Sequence, residues 1–326
     1  MSPLLSEDAI LARIARHFPE THPGLAVGRG DDAALLKRGT PLAVSTDIFL
    51  EDVHFRDAYF TPEDVGHKAL AVNLSDMAAA GAVPVAFTMC LGLGTDVDAD
   101  WLDRFLQRMA VLAKTFDVAL AGGDLSRSQR TMIAITIFGA QEEEFLPRGG
   151  AAPGDCIFCV GPLGLARVGL DVLETGGRKE MESWPDACAA HLRPIPLVAD
   201  GLAIARQPRP LTLMDISDGI VRDLPRLLAA GGRSDLGAEL LLPRERLHPE
   251  VMRHAAGKGL DPVEQALLGG EDYGLLGTCK PAALASLLAA VPWAFLFGTV
   301  TGDGKIFCNG RSLAALRGFD HFEAGT

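Results

Sequence analysis

Short apolar runs typical of β-strands alternate with helix-forming segments along almost the whole chain. The clearest helix start is Thr61-Pro62-Glu63-Asp64, which combines an N-cap residue, a proline at the first helical position and acidic residues in the first turn. It predicts a helix that continues to about residue 80. The apolar runs at 42–48 and 83–93 predict buried strands before and after that helix. This alternation predicts an α/β fold with mixed α and β elements.

The same patterns predict further elements in both halves of the chain. Strands are expected at 117–121, 131–139, 156–161, 211–216, 236–242, 275–279, 294–300 and 305–308. Helices are expected at about 99–116, 164–174, 196–206, 218–230, 262–268 and 281–290, with an opening helix capped by Ser6 and a polar stretch at 175–192. Pro225 should kink or interrupt its helix unless it lies in the first turn.

A turn-rich junction divides the chain into two halves. Residues 145–155 read Phe-Leu-Pro-Arg-Gly-Gly-Ala-Ala-Pro-Gly-Asp, a composition typical of a domain boundary. A chain of 326 residues, 48% of them hydrophobic, also divides more naturally into two domains than one. We therefore expect one domain over residues 1–148 and a second over residues 149–326.

The charge and the cysteines limit the partners and the compartment. A net charge of -12 leaves no basic surface for nucleic acid or for a membrane surface. The segment from Met1 to Ile10 is acidic and does not resemble a signal peptide. The apolar run from Met77 to Gly94 is interrupted by Pro84, so a helix, a turn and a strand explain it better than a membrane span. Six scattered cysteines fit a reducing cytoplasm.

Aspartates recur beside glycine or small residues at the expected ends of strands and starts of helices. Clustered carboxylates repel one another unless a cation lies among them, and magnesium prefers oxygen ligands. A magnesium site is therefore expected, although any single aspartate of this kind could be a turn or cap residue. The aspartates concerned are Asp31, Asp32, Asp47, Asp76, Asp124, Asp215 and Asp218.

Common motifs of other enzyme classes are absent from the sequence. It contains neither a P-loop nor a dinucleotide-binding glycine motif after a strand, and no nucleophile elbow of the hydrolases. Cys156 and Cys159 have the spacing of half a zinc site, but no second pair accompanies them, so we interpret them as core residues. His54, shortly after Asp47, is the histidine that best fits a functional role, with a capping or core role as the alternative.

A series of short motifs follows the order and spacing of one family. In the first half they are Gly28-Arg-Gly-Asp-Asp-Ala-Ala-Leu-Leu36, Ser45-Thr-Asp47, Val53-His-Phe55, Lys68-Ala-Leu-Ala-Val-Asn-Leu-Ser-Asp76 and Gly122-Gly-Asp124. In the second half they are Asp215-Ile-Ser-Asp-Gly219, Gly269-Gly-Glu-Asp-Tyr273 and Gly318-Phe-Asp-His-Phe322. Over nearly its whole length, the chain thus resembles the thiamine-monophosphate kinase family.

The resemblance implies a fold, an assembly and an activity. The fold is the two-domain one shared with aminoimidazole-ribonucleotide synthetase, in which each domain is a mixed sheet packed with helices. The N-terminal domain would bind ATP and metal and form a homodimer, and the C-terminal domain would complete the nucleotide and substrate site. The implied activity is phosphorylation of thiamine monophosphate to thiamine diphosphate, with ATP as co-substrate and several Mg²⁺ ions.

The resemblance also implies a role for each matching site residue. The metal ligands would be Asp32, Ser45, Thr46, Asp47, Asp76, Asp124, Asp215 and Asp218, of which Asp47, Asp76, Asp124 and Asp218 would be catalytic. ATP would contact Gly123, Asp124, Arg148 and Ser217. The thiamine substrate would contact His54, Glu271 and Phe319.

Three departures from the family pattern keep alternatives open. Arg29 replaces an aliphatic residue, Leu125-Ser126 replaces a common Thr-Thr, and Gly274 stands where Glu is usual. Another ATP-using enzyme of the superfamily, resembling aminoimidazole-ribonucleotide synthetase, is one alternative, and a non-catalytic nucleotide-binding protein is the other. A selenide-activating enzyme is disfavoured because it needs a reactive residue near its N-terminus, and the first cysteine here is Cys90.

Overall fold

The computed structural model describes residues 39–318, together with residues 13–14, 16–18, 22–23, 25–27 and 35–36. The chain divides into two compact units, each described separately below. The first comprises Met1–Met77 and Ala82–Glu142, and the second comprises Ala78–Gly81 and Glu143–Thr326. The domain boundary expected between residues 148 and 149 stays a prediction.

The first unit is built on a four-stranded sheet. Its strands are β3 (Leu42–Leu50), β4 (Val83–Leu93), β5 (Ala119–Arg127) and β6 (Met132–Ala140), in the order β3-β6-β4-β5. The pairs β3–β6 and β6–β4 are antiparallel, whereas β4–β5 is parallel. A separate antiparallel pair joins β1 (Leu25–Val27) to β2 (Leu35–Leu36).

Two helices pack together in this unit. Helix α1 (Pro62–Ala80) begins as predicted, and the Thr61 N–H and hydroxyl both donate to Asp64 Oδ2, at 3.0 and 2.8 Å. In helix α2 (Ala99–Thr115), Asp98 accepts the N–H of Trp101 as the N-cap. A Cβ at Gly66 of α1 would lie 2.2 Å from the carbonyl oxygen of Phe105 on α2, so this glycine permits their close contact.

The second unit is built on a seven-stranded sheet. Its strands are β7 (Cys156–Val160), β8 (Leu211–Asp215), β9 (Gly237–Leu240), β10 (Leu275–Cys279), β11 (Ala294–Thr301), β12 (Ile306–Cys308) and β13 (Arg311–Ser312). Their order is β13-β12-β9-β11-β7-β10-β8, and all pairs are antiparallel except β12–β9.

Seven helices are described in the second unit. They are α3 (Leu165–Gly176), α4 (Pro185–Leu192), α5 (Val198–Ala205), α6 (Ile220–Ala229), α7 (Pro249–Lys258), α8 (Pro262–Leu268) and α9 (Pro281–Ala290). Short 3-10 turns cover Gly177–Glu182 and Arg244–Arg246. Ile216 from the loop after β8, Leu224 from α6 and Phe297 from β11 belong to one buried cluster. The predicted fold class, mixed sheets packed with helices, is confirmed.

Several sequence predictions need correction. The run at 42–48 is a strand, but it lies at the edge of its sheet, and its even-numbered side chains are exposed. The strand predicted at 117–121 continues to residue 127. The stretch at 175–192 contains α4, and α7 was not predicted. Helix α6 continues through Pro225. Within the described ranges, no helix is both long and apolar enough to cross a membrane.

Candidate active site

Ser45 and Asp47 lie on the same face of β3, and both contact Asp76 of α1. Side chains two apart on a strand point to the same face, and here the odd-numbered ones are the less exposed. The Ser45 hydroxyl donates to Asp76 Oδ2 at 2.6 Å. Asp47 is also hydrogen-bonded to Asp76, which requires a proton between the two carboxyl groups. The motifs Ser45-Thr-Asp47 and Asn73-Leu-Ser-Asp76 therefore meet in one polar site.

This carboxyl pair has a perturbed protonation equilibrium. Burial, followed by the charge of Asp76 and the hydrogen bond to it, raises the pKa of Asp47 from 3.8 to about 7. Two carboxylates and a hydroxyl are oxygen donors of the kind that Mg²⁺ prefers, so the residues fit this metal by their chemistry. The described part of the chain contains no group of three His, Cys, Asp or Glu side chains arranged to hold a metal ion. Asp32, the further acidic residue expected here, lies outside the described residues.

Thr46 and Asp124 do not join this pair through their side chains. Thr46 is on the exposed face of β3, where its hydroxyl donates to Ile135 O at 3.0 Å. Asp124 on β5 pairs with Cys90 on β4, and both Cys90 and Ile48 of β3 pair with Ala134 on β6. Asp124 therefore lies on the same exposed face of the sheet as Ile48. The metal roles of both residues stay predictions.

The prediction that the aspartates lie at strand ends or helix starts was wrong for three of them, which lie inside a strand or a helix. Asp47 lies within β3, Asp124 within β5 and Asp76 within α1. Asp215 is the last residue of β8, and Asp218 lies just before α6, as predicted. The strand predicted to end before Gly122-Gly123 runs through both glycines, and Gly123 itself is exposed.

His54 lies in the turn that follows β3. Its Nδ1 accepts the backbone N–H of Leu50 at 3.1 Å, and its ring stacks on Phe49 with 5.7 Å between ring centroids. Because Nδ1 accepts, the neutral ring carries its proton on Nε2. His54 can therefore offer an N–H donor and an aromatic face. Its contact with the substrate stays a prediction.

In the second unit, the turn Asp215-Ile-Ser-Asp-Gly219 connects β8 to α6. Asp223, in the first turns of α6, accepts the backbone N–H groups of Ser217 at 3.0 Å and Asp218 at 2.9 Å through Oδ2. Burial raises the pKa of Asp223 to about 6, although these bonds and Arg226 act against the rise. Small residues in such a turn can bring backbone amides close to a phosphate. Two of those amides instead donate to Asp223, so Ser217 would contact a ligand through its hydroxyl.

Arg226 lies beside the same turn. Its Nη1 is 2.5 Å from Asp218 Oδ2 and 3.2 Å from Asp223 Oδ1, so one guanidinium nitrogen contacts two carboxylates. Asp215 is 5% exposed at the end of β8. The sequence analysis did not identify Asp223 or Arg226. An acidic residue in the first turns of a helix that starts after a glycine was the available signal for Asp223.

The segment Gly269-Gly-Glu-Asp-Tyr273 packs against this turn. The N–H of Glu271 donates to Ser217 O at 2.8 Å, and a Cβ at Gly270 would lie 2.8 Å from the same oxygen. Asp272, which the sequence analysis did not assign, accepts the N–H groups of Gly164 at 2.5 Å and Ala166 at 3.0 Å at the start of α3. Burial raises the pKa of Asp272 to about 7 in spite of these bonds.

The remaining predicted residues have simpler surroundings. Arg148 is exposed, and its neighbour Pro147 accepts the N–H of Leu213 on β8 at 3.1 Å. Glu271 Oε2 lies 3.0 Å from His191 Nδ1 on α4. Phe319 lies outside the described residues, so its predicted contact with the substrate is not described.

Comparisons with known proteins agree with the motifs. The family model of the AIR synthase related protein, N-terminal domain, matches residues 30–141. The thiamine-monophosphate kinase of Escherichia coli K12 is 35% identical over 327 residues, which cover 95% of this chain and 97% of that enzyme.

Two solved structures of this kind are also similar. The thiamine-monophosphate kinase of Stenotrophomonas maltophilia K279a has a TM-score of 0.79 and 30% identity, covering 94% of this chain and 98% of that one. AaThiL complexed with AMPPCP and TMP has a TM-score of 0.77 and 29% identity, covering 99% and 100%. By the near-complete match to the E. coli enzyme, supported by these two folds, the chain belongs to the thiamine-monophosphate kinase family.

Proposed function

We propose that this protein is a kinase that uses ATP to phosphorylate thiamine monophosphate to thiamine diphosphate. The observation that carries the proposal is the identity of 35% over 95% of the chain with an enzyme of that name. The similar fold of AaThiL, solved with an ATP analogue and TMP, supports the same pair of substrates.

The acceptor chemistry limits what the protein has to supply. The second pKa of a phosphate monoester is about 6, so the acceptor is largely dianionic at neutral pH and needs no strong general base. The difficulty is to bring two polyanions together in line. The task of the side chains is therefore to bind, orient and neutralise charge. No covalent intermediate on the enzyme is required.

Magnesium is the proposed metal, with Ser45, Asp47 and Asp76 as its best-supported ligands in the first unit. The support is their hydrogen bonding and the raised pKa of Asp47, since a proton or a cation would relieve the burial of this carboxylate beside Asp76. When bound, Mg²⁺ would screen phosphate charge and stabilise the transferring phosphoryl group. Asp32, Thr46 and Asp124 remain proposed ligands by family resemblance.

The second unit would bind through the turn at 215–219. Asp215 and Asp218 are the proposed metal ligands, and the Ser217 hydroxyl and the exposed Arg148 are proposed ATP contacts. For the first unit, Gly123 and Asp124 remain proposed ATP contacts by family resemblance. Asp223 supports this role indirectly, because its hydrogen bonds to the turn fix the positions of Ser217 and Asp218.

A homodimer through the first unit is also proposed. The outer face of β3 presents Leu42, Val44 and Ile48, of which Val44 is 59% exposed. Phe138, the neighbour of Val44 on β6, extends this apolar face. Apolar side chains grouped on an exposed sheet face are typical of an interaction surface. A second copy of the chain is the proposed occupant.

A cytoplasmic location remains a proposal as well. It is supported by the cysteines, because all six are free thiols and are spread over both units.

The direct test is product formation by the purified protein. ATP, Mg²⁺ and thiamine monophosphate should give ADP and thiamine diphosphate in equal amounts, and EDTA should abolish both. Thiamine in place of its monophosphate, and a sample without acceptor, are the controls. ATP turnover without thiamine diphosphate would contradict the proposed acceptor.

A further inference from the structure

Glu271 is held in an unusual backbone conformation. Its φ of 63° lies in the left-handed region, which a residue with a side chain adopts only at an energetic cost. Tyr273, two residues later, also has a positive φ, of 48°. The hydrogen bonds from Glu271 N to Ser217 O and from Tyr273 N to Ile216 O hold the segment in place. Strained residues maintained in this way are concentrated at functional sites.

The Glu271 side chain is held from a second direction by a buried histidine. Its Oε2 lies 3.0 Å from Nδ1 of His191, which is 1% exposed, whereas Glu271 is 27% exposed. An ionised carboxylate can only accept, so the proton of this contact belongs to Nδ1. A buried donor thus contacts a carboxylate that still reaches solvent.

His191 is itself in a fixed position. It lies on α4, close to Gly169 of α3, where a Cβ would come within 2.0 Å of Ala187 O and 2.9 Å of the His191 Cβ. This close helix contact leaves the histidine little freedom to move. The imidazole can therefore act as a rigid support for the carboxylate.

We propose that His191 is a positioning residue for acceptor recognition, because it orients the Glu271 carboxylate toward the cationic heteroaromatic part of the acceptor. This inference rests on the proposed function, whose acceptor carries a positively charged thiazolium ring. A carboxylate fixed before binding loses less side-chain entropy when the acceptor binds. Its effect should therefore appear in acceptor binding and not in ATP binding.

The test compares two amide substitutions at this position. In His191→Asn the amide nitrogen can occupy the place of Nδ1, whereas in His191→Gln it lies further along the side chain. Because H191Q loses one charge-assisted hydrogen bond to Glu271, we expect it to raise the KM for thiamine monophosphate by about 10-fold. The KM for ATP should stay within about twofold of the wild-type value. H191N should restore most of the acceptor KM.

Two controls separate this role from a structural one. His254→Gln changes another buried histidine of the second unit, which contacts Asp171 at 2.7 Å, and should leave the ratio of the two KM values unchanged. If H191Q does not fold, as judged by its thermal transition, His191→Phe replaces it, since it keeps the ring without the donor. In a Glu271→Gln background, either substitution should add no further rise in the acceptor KM.

The outcomes are distinct. Equal effects of H191N and H191Q, or a parallel rise in both KM values, would overturn the positioning role. A wild-type protein that forms no thiamine diphosphate would instead overturn the proposed function.

Discussion

Replacing Asp47 with Asn should make the metal-free protein more stable while removing its activity. The folded protein raises the pKa of Asp47 from 3.8 to about 7, so at pH 8 folding forces an ionised carboxylate against Asp76. Asn is neutral and can donate to Asp76 as the protonated acid does. The substitution therefore relieves an unfavourable interaction that function requires.

The size of the effect follows from linkage. At about 1.4 kcal/mol per pH unit, a rise from 3.8 to about 7 corresponds to an upper limit of about 4 kcal/mol. Asp47 is partly exposed and shares its proton with Asp76, so we expect about half of this, about 2 kcal/mol. The raised pKa means that the contribution of Asp47 to the stability of the wild type is most favourable below pH 4 and is lost as the pH rises to about 7. The advantage of Asp47→Asn should grow over that window and then remain constant.

The assay is thermal unfolding in EDTA at several pH values between 5 and 8. At pH 8 the variant should melt about 5 °C above the wild type, and the difference should be smaller at pH 5. Asp100→Asn, an exposed aspartate of the same unit, is the matched control and should change little. Turnover of Asp47→Asn with Mg²⁺ should fall by at least about 100-fold. An unchanged or lower melting temperature at pH 8 would show that the Asp47 carboxylate does not destabilise the folded protein.

Three further substitutions test other parts of the structure. Asp223→Ala leaves two backbone N–H groups without their acceptor and removes one of the two carboxylates that contact Arg226. It should cost about 2–4 kcal/mol in urea unfolding, and a cost below about 1 kcal/mol would contradict this role. Gly274→Glu should destabilise by about 1–3 kcal/mol because a Cβ there would lie 2.6 Å from Val160 O, and unchanged stability would show that the backbone adapts easily. Val44→Lys should give a monomer in light scattering, whereas Val111→Lys, an equally apolar site on α2 that is 50% exposed, should not. A Val44→Lys dimer would exclude the β3 face.

Local signals explain which elements could be predicted from the sequence. Helix α1 was predicted almost to the residue because its cap, its proline and its acidic first turn all lie within four positions. Helices α8 and α9 and strand β10 were predicted with their observed bounds. Helix α7 was missed although Pro249 opens it and Gly259, with a φ of 66°, closes it. Those signals were present in the sequence, and only the short apolar pattern between them was weak.

The arrangement of the site could be predicted only in part. The motifs identified the aspartates, but the face of the sheet that each one occupies depends on strand register. Because β5 continues through Gly122-Gly123, Asp124 is placed by pairing with Cys90 and not by the end of a strand. Asp223, Asp272 and His191 were not assigned because each acts on residues that are distant in the sequence or on a backbone turn. Such contacts leave no local pattern.

The acidic residues of the two units have different partners, so metal binding at the two places should differ in its dependence on pH. In the first unit Asp47 and Asp76 share a proton, which a divalent cation would have to displace. In the second unit a guanidinium already lies against Asp218, so a cation there would compete with Arg226. Proton displacement becomes easier as the pH rises to about 7, whereas displacement of an arginine does not depend on pH in this range. Metal binding by the Asp47–Asp76 pair should therefore strengthen as the pH rises to about 7, whereas the competition of a cation with Arg226 for Asp218 should not change over this range.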